Sequence, residues 1–137
     1  MKKIIIAGSG SLREKWLERK TWRESKWYEV LNYPKKIQSN NLEDISQEYK
    51  DLYIGFFKDL QVADVLFLMN EDKKSIQWYI GAESFAELSF ANVNNVLWNK
   101  QTKIFIMQMP SGEVWCHEEI DFFLKLGWIE ILDKKLF

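Results

Sequence analysis

Two glutamates with helical spacing are the residues of this sequence best suited to do chemistry. The stretch QWYIGAESFAELSFA, residues 77–91, places Glu83 and Glu87 four positions apart, just after Gly81. On a helix, residues at this spacing lie on the same face. Two neighbouring carboxyl groups can separate their pKa values, so that one stays ionised and the other protonated. Such a carboxylate can be a nucleophile or can stabilise a cationic sugar transition state.

The same stretch also has a purely structural interpretation. Ser84 is a plausible N-cap of a helix that continues to about residue 92, and Ser84-x-x-Glu87 matches a capping box. In that interpretation Glu87 only stabilises the helix end. Gly81 indicates a turn with close backbone approach or a positive φ. The residues alone leave both interpretations open.

The sequence after the first apolar run, GSGS at 8–11, is a candidate anion site. Backbone N–H groups of Gly8, Ser9 and Gly10 next to a helix start would suit a phosphate, and a tight turn out of the sheet is the alternative. Ser11 is a possible N-cap of that helix.

Polar and aromatic residues after the second apolar run could contact a ligand. Asn70 and Glu71 follow that run directly and could hydrogen-bond a polar ligand, with a solvated loop as the alternative. Trp78 and Tyr79 could stack on a nucleobase or pack the loop over the sheet.

Apolar periodicity predicts alternating strands and helices. The predicted strands are 3–7, 64–69, KIFIM within 102–109, and 128–132, and the predicted helices are 12–31, 42–61, 84–92 and 118–126. This order predicts parallel strands with crossover helices. We therefore expect residues 1–137 to form a single three-layer α/β domain, Rossmann-like or flavodoxin-like, with a mainly parallel sheet. The ligand would lie at the carboxyl ends of the strands, near loops 8–11, 70–84 and 110–115.

Composition narrows the function classes. The chain has 137 residues, 47% of them hydrophobic, which predicts a folded domain. A formal net charge of −1 argues against a nucleic-acid binder. One cysteine, Cys116, excludes an intramolecular disulfide and fits a reducing compartment. No run approaches the roughly 20 apolar residues of a membrane span. We expect a cytoplasmic protein with no membrane partner.

Two further motifs favour structural roles. CHEE at 116–119 has poor spacing for zinc, so we expect no metal site. Residues 13–27 mix charges with three tryptophans, which favours an amphipathic helix over a nucleic-acid surface. Aromatic residues make up 15% of the chain, which is consistent with a subunit contact.

Three segments together resemble the nucleoside 2-deoxyribosyltransferase-like superfamily, and the resemblance covers most of the chain. They are KIIIAGS at the start, ADVLFLMN in the middle and YIGAESFAELSFA after it, followed by KIFIMQMP. The helix pattern of that superfamily, G-x-x-[ST]-x-x-E-[LI]-x-[YF]-A, is matched here by Gly81, Ser84, Glu87, Leu88, Phe90 and Ala91.

The resemblance implies an enzyme that cleaves or exchanges the N-glycosidic bond of deoxyribonucleosides or their 5′-monophosphates. Glu87 would attack the anomeric carbon, and no cofactor is expected. A homodimer or larger homo-oligomer is implied, with neighbouring chains closing the site. The substrate-binding residues would be Gly8, Ser9, Gly10, Asn70, Tyr79, Gly81, Glu83 and Ser84.

This sequence departs from the family pattern at two positions. The first strand, Ile4-Ile5-Ile6, lacks the family's tyrosine, and Gly81 stands where an aspartate is common. Glu83 could substitute for that aspartate, and Asp59 is a further acidic residue before the second strand. The departures favour a second hypothesis, a non-catalytic nucleotide-binding or sensor protein on the same scaffold.

Overall fold

The computed structural model describes residues 1–8, 28–35, 37–73 and 75–132. Its elements are β1 (Lys2–Gly8), β2 (Tyr28–Asn32), α1 (Leu42–Leu60), β3 (Val65–Met69), α2 (Ala82–Trp98), β4 (Lys103–Ile106), α3 (His117–Lys125) and β5 (Glu130–Ile131). The five strands form one sheet in the order β2-β1-β3-β4-β5, and every neighbouring pair is parallel. The predicted α/β class and parallel sheet are confirmed, and the strand order is the flavodoxin-like one.

The central strands are buried on both faces, which explains their continuous apolar sequences. Ile4, Ile5 and Ile6 of β1 are all 0% exposed, and all five residues of β3 are buried. On one face, Ile5 and Leu66 pack in the same core cluster as residues of α1, α2 and α3. On the opposite face, Ile4, Ile6 and Phe67 form a second cluster. Apolar packing on both sides of the sheet is the pattern of a three-layer domain.

Local capping sets the helix boundaries. α1 begins after Asn41, whose side-chain oxygen accepts a hydrogen bond from the Asp44 N–H at 2.9 Å. α2 is followed by Asn99 in the left-handed conformation, with φ of 55°. After α3, Gly127 also has a positive φ, 73°. Within the described ranges, no helix is long and apolar enough to cross a membrane.

Two predicted boundaries were wrong. Residues 28–31, assigned to the end of a helix over 12–31, belong to β2, which pairs with β1. The remainder of that helix, residues 12–27, and its possible N-cap Ser11 lie outside the described residues. The helix expected to end near residue 92 continues to Trp98, because the chain first turns into a left-handed conformation at Asn99.

Candidate functional site

A divided cleft lies at the carboxyl edge of the sheet. Its first part, the aromatic cavity, has a volume of about 240 Å³ and is lined by the ends of β1 and β2, by α1 and by α2. Its second part, the strand-end cavity, has about 320 Å³ and adjoins the ends of β1 and β3. Gly8 and Glu83 line both cavities. The cleft occupies the edge at which parallel α/β sheets bind ligands.

Glu87 lies in the aromatic cavity with its carboxyl group largely removed from water. The residue is half-buried, and one turn of α2 separates it from Glu83. Burial, and to a smaller extent the negative charge of Glu83, raise the pKa of Glu87 from an ordinary value of 4.5 to about 8. At neutral pH, this shift favours the protonated carboxylic acid of Glu87 over the carboxylate.

Glu83 is exposed and is held by a residue from another helix. The Tyr49 hydroxyl on α1 donates a hydrogen bond to Glu83 Oε1 at 2.6 Å. This bond, with smaller effects of burial and of the negative charge on Glu83, raises the pKa of Tyr49 to about 12. The hydroxyl thus keeps its proton and remains a donor. Glu83 and Glu87 together offer one exposed, hydrogen-bonded carboxyl group and one carboxyl group whose pKa is raised mainly by burial.

Comparison of the chain with known proteins identifies no relative that carries this carboxyl pair. No family model, curated protein or solved structure matches this chain. The functional assignment therefore rests on the residues of the cleft and on their chemistry.

The outer wall of the aromatic cavity is fixed to α1 by side-chain hydrogen bonds. Asn32, at the end of β2, donates from Nδ2 to Asp59 Oδ2 at 2.7 Å, and its Oδ1 accepts from the Tyr33 N–H at 2.8 Å. The loop that follows is joined to Glu48, whose carboxylate accepts the N–H groups of Gln38 and Ser39 at 2.8 and 2.9 Å. Bonds from the Ser39 side chain and these two N–H groups lower the pKa of Glu48.

The first turn of α2 forms the rim of the strand-end cavity, but its cap differs from the sequence prediction. The N-cap is Gly81, with φ of −75° and no side-chain cap bond, so the positive φ that was one of its two expected roles is not adopted. Ser84 lies inside the helix and is buried, and the predicted capping box with Glu87 does not form. Gly81 and Ser84 nevertheless both line this cavity.

Gly8 has a steric reason to be glycine. Its φ is +153°, a region that side chains rarely adopt, and a Cβ atom there would lie 3.0 Å from the main-chain oxygen of Met69 on β3. Close approach of the strands, rather than a phosphate, is sufficient to explain the residue. Ser9 and Gly10, predicted to bind an anion with it, lie outside the described residues.

Asn70 is a structural residue and does not line either cavity. Only 1% of it is exposed. Its Nδ2 donates to the main-chain oxygens of Trp78 and Gln108 at 3.2 and 2.7 Å, and its Oδ1 accepts the N–H groups of Met107 and Gln108 at 2.9 and 3.3 Å. These four bonds use both ends of the carboxamide, so the predicted contact with a ligand is not supported.

The Trp78-Tyr79 pair and the Cys116-His117 pair lie in different parts of the structure. Tyr79 lines the strand-end cavity together with Glu71, whereas Trp78 packs against the second core cluster. His117 Nδ1 lies 2.8 Å from the main-chain oxygen of Pro110, and Cys116 is buried. Nowhere in the described part of the chain do three His, Cys, Asp or Glu side chains gather to hold a metal ion.

Sequence reasoning missed the residues that α1 and β2 contribute. Tyr49, Tyr53 and Phe57 line the aromatic cavity and follow one another at four-residue intervals. This spacing is visible in the sequence, but Tyr49 fits equally well on the core face of an amphipathic helix. Asn32 was hidden because its neighbours were assigned to a helix.

The raised pKa of Glu87 predicts a specific pH dependence of stability. Between pH values of about 4.5 and 8, the folded protein keeps a proton that the unfolded chain has released. The free energy of unfolding should therefore fall as the pH rises through this window. Glu87→Gln removes the ionisation, so we expect this variant to be more stable than the wild type at pH 9, by a few kcal/mol.

Urea unfolding of the wild type and of Glu87→Gln at pH 5 and pH 9 measures how the free energy of unfolding of each protein changes with pH. Glu83→Gln is the control, since removing the smaller cause of the pKa shift should reduce the slope without abolishing it. An unchanged slope in Glu87→Gln would mean that Glu87 titrates normally.

Proposed function

We propose that this protein cleaves or transfers at the N-glycosidic bond of a nucleoside or nucleotide. The observation that supports this most directly is the pair of Glu87, whose pKa is raised by burial, and Glu83 one helical turn away, both lining a cleft at the carboxyl edge of the sheet. Paired carboxyl groups with separate protonation states are what glycosyl chemistry requires.

The two cavities suggest how such a substrate would lie. The aromatic cavity offers Tyr49, Tyr53 and Phe57 to a nucleobase and places Glu87 beside it. Glu83, at the boundary between the cavities, would face the sugar. The strand-end cavity, lined by Lys73 and the uncapped first turn of α2, suits the 5′ hydroxyl or phosphate.

The proposed reaction divides the work between the two carboxyl groups. An oxygen of Glu83 bonds to C1′ while the bond from C1′ to the base nitrogen breaks. The electron pair of the broken bond stays on the base. Glu87 gives its proton to the departing base. Water, deprotonated by Glu87, then hydrolyses the sugar ester on Glu83. In a transfer reaction, a second nucleobase attacks C1′ in place of water and releases Glu83.

The family resemblance implies a different division, in which Glu87 attacks the sugar. That reaction needs Glu87 in its ionised form, and its rate would rise as the pH increases through about 8. With Glu87 as the proton donor, the rate falls over the same range. We favour the reaction in which Glu83 attacks the sugar and Glu87 donates the proton, because burial favours the protonated form of Glu87 and because the Tyr49 hydroxyl orients Glu83.

A non-catalytic nucleotide-binding protein is the second candidate. The absence of a tyrosine from the Ile4–Ile6 strand and the glycine at position 81 favour it. In this case the cleft would bind the same ligands, and the carboxyl pair would only recognise them.

A thermal-shift screen followed by product analysis tests the proposal. Nucleosides, deoxynucleotides and ribose phosphates are added to the protein, and each compound that raises the melting temperature is incubated and analysed by chromatography for free base. We expect at least one hit to release base. Binding without release between pH 5 and pH 9 would support the non-catalytic candidate, and a screen without hits would contradict both.

A further inference from the structure

A third cavity lies at the opposite edge of the sheet from the cleft. It has a volume of about 420 Å³ and is bounded by the second half of α2 and by the amino-terminal ends of β4 and β5. Its lining includes Asn92, Thr102, Lys103, Trp128 and Glu130. None of these residues contributes to the aromatic or strand-end cavity, so this amino-edge cavity needs an explanation of its own.

Asn92 is the unusual residue of the amino-edge cavity. It is only 4% exposed, and neither its Nδ2 nor its Oδ1 has a hydrogen-bond partner among the described residues. A buried carboxamide without partners destabilises a fold, and native proteins rarely keep one without a role. Asn95, one turn further along α2, shows the contrast: it donates to the Thr102 oxygen at 2.8 Å and accepts the Thr102 N–H at 3.0 Å.

The chemistry of the lining restricts the ligand. A carboxamide presents a donor beside an acceptor, which matches the donor–acceptor edge of a nucleobase such as adenine. Trp128 is 40% exposed and stacks on Phe123 with ring centroids 5.9 Å apart, so it offers a rigid aromatic surface in the same cavity. Stacking against an aromatic ring and pairing with a carboxamide are together typical of base recognition.

We propose that the amino-edge cavity is a second binding site, for a purine base with a donor–acceptor edge, and that Asn92 reads that edge. Because the polar atoms of Asn92 are covered in the free protein, the proposal requires its side chain to rotate towards the cavity when the base binds. The site is separate from the carboxyl pair and does not depend on the proposed glycosidic reaction.

Titration of the intact protein with 9-methyladenine tests this site. The Glu87→Gln variant is titrated in parallel, and binding is followed by calorimetry and by the NMR signals of side-chain carboxamides. We expect the Asn92 signals to shift in both proteins. The matched ligand 9-methylpurine lacks the amino group and should bind about 10- to 100-fold more weakly. Unmoved Asn92 signals, or equal affinity for the two ligands, would overturn the proposal.

Substitution of Asn92 by leucine separates a binding role from a structural one. Asn92→Leu removes the unpaired carboxamide, so we expect the melting temperature to rise by about 3–10 °C and adenine binding at this site to be lost. Asn95→Leu is the control and should lower the melting temperature, because it breaks two existing hydrogen bonds. If Asn92→Leu also lowers it, the carboxamide has a structural partner such as a buried water, and the site is not what we propose.

Discussion

Replacement of Glu83 by glutamine is expected to slow base release at least about 1000-fold, whatever the leaving group. Glutamine keeps the size of the side chain and can still accept the Tyr49 hydrogen bond, but it cannot form the ester with C1′ or offset its positive charge. The loss should therefore be the same for a normal nucleoside and for one whose base leaves without protonation. Single-turnover rates for the two substrates provide the measurement.

Two controls isolate the chemical role of Glu83. Glu43→Gln changes an exposed glutamate in the first turn of α1 and should leave the rate unchanged. Tyr49→Phe removes only the 2.6 Å hydrogen bond, so its effect should be much smaller, about tenfold. If Tyr49→Phe is as damaging as Glu83→Gln, orientation of the carboxylate and not its nucleophilicity accounts for the loss. Full activity of Glu83→Gln would exclude it from the reaction.

Replacement of Glu87 by glutamine should instead discriminate between leaving groups. A proton donor contributes about 100- to 10,000-fold to the departure of a base that needs protonation, and we expect a loss of that size for an ordinary purine nucleoside. A 7-methylpurine nucleoside already carries its positive charge on the base. In a single turnover, release of this base should slow only a few-fold in the variant, since its departure requires no proton.

The pH profile supplies an independent test of the role of Glu87. Wild-type cleavage of the ordinary nucleoside should decrease as the pH rises through about 8, because Glu87 loses its proton there. Glu87→Gln should lack this decrease. A wild-type rate that rises through the same range, with equal losses for both substrates in Glu87→Gln, would identify Glu87 as the nucleophile, as the family resemblance implies.

The sequence was sufficient to predict the centre of the sheet and the carboxyl pair. β1 and β3 are uninterrupted apolar runs because neighbours cover both of their faces, and Glu83 and Glu87 are related by local helical spacing. β2, with the sequence YEVLN, was missed because its apolar residues are only partly buried at the sheet edge. Its conformation depends on pairing with β1, which local pattern cannot show.

The partners of the site residues could not be read from the sequence, because they are distant along the chain. Tyr49 reaches Glu83 across 34 positions, and no local pattern relates the two. Asn70 shows the converse. Its position at a strand end indicates a ligand contact. The Asn70 side chain instead makes four hydrogen bonds to three residues, which lie between 8 and 38 positions away, and these bonds make it part of the scaffold.

The bonding of Asn70 also bears on how freely the sequence around it can change. All four of its hydrogen bonds are to main-chain atoms, of Trp78, Met107 and Gln108. This clamp between the ends of β3 and β4 therefore requires no particular side chain at those three positions, although Trp78 and Met107 are also constrained by their packing in the second core cluster. Asn70 itself has no such freedom, since aspartate lacks the two donors and leucine would strand the main-chain groups that it serves. Orthologues that have diverged elsewhere in this loop should still carry asparagine here.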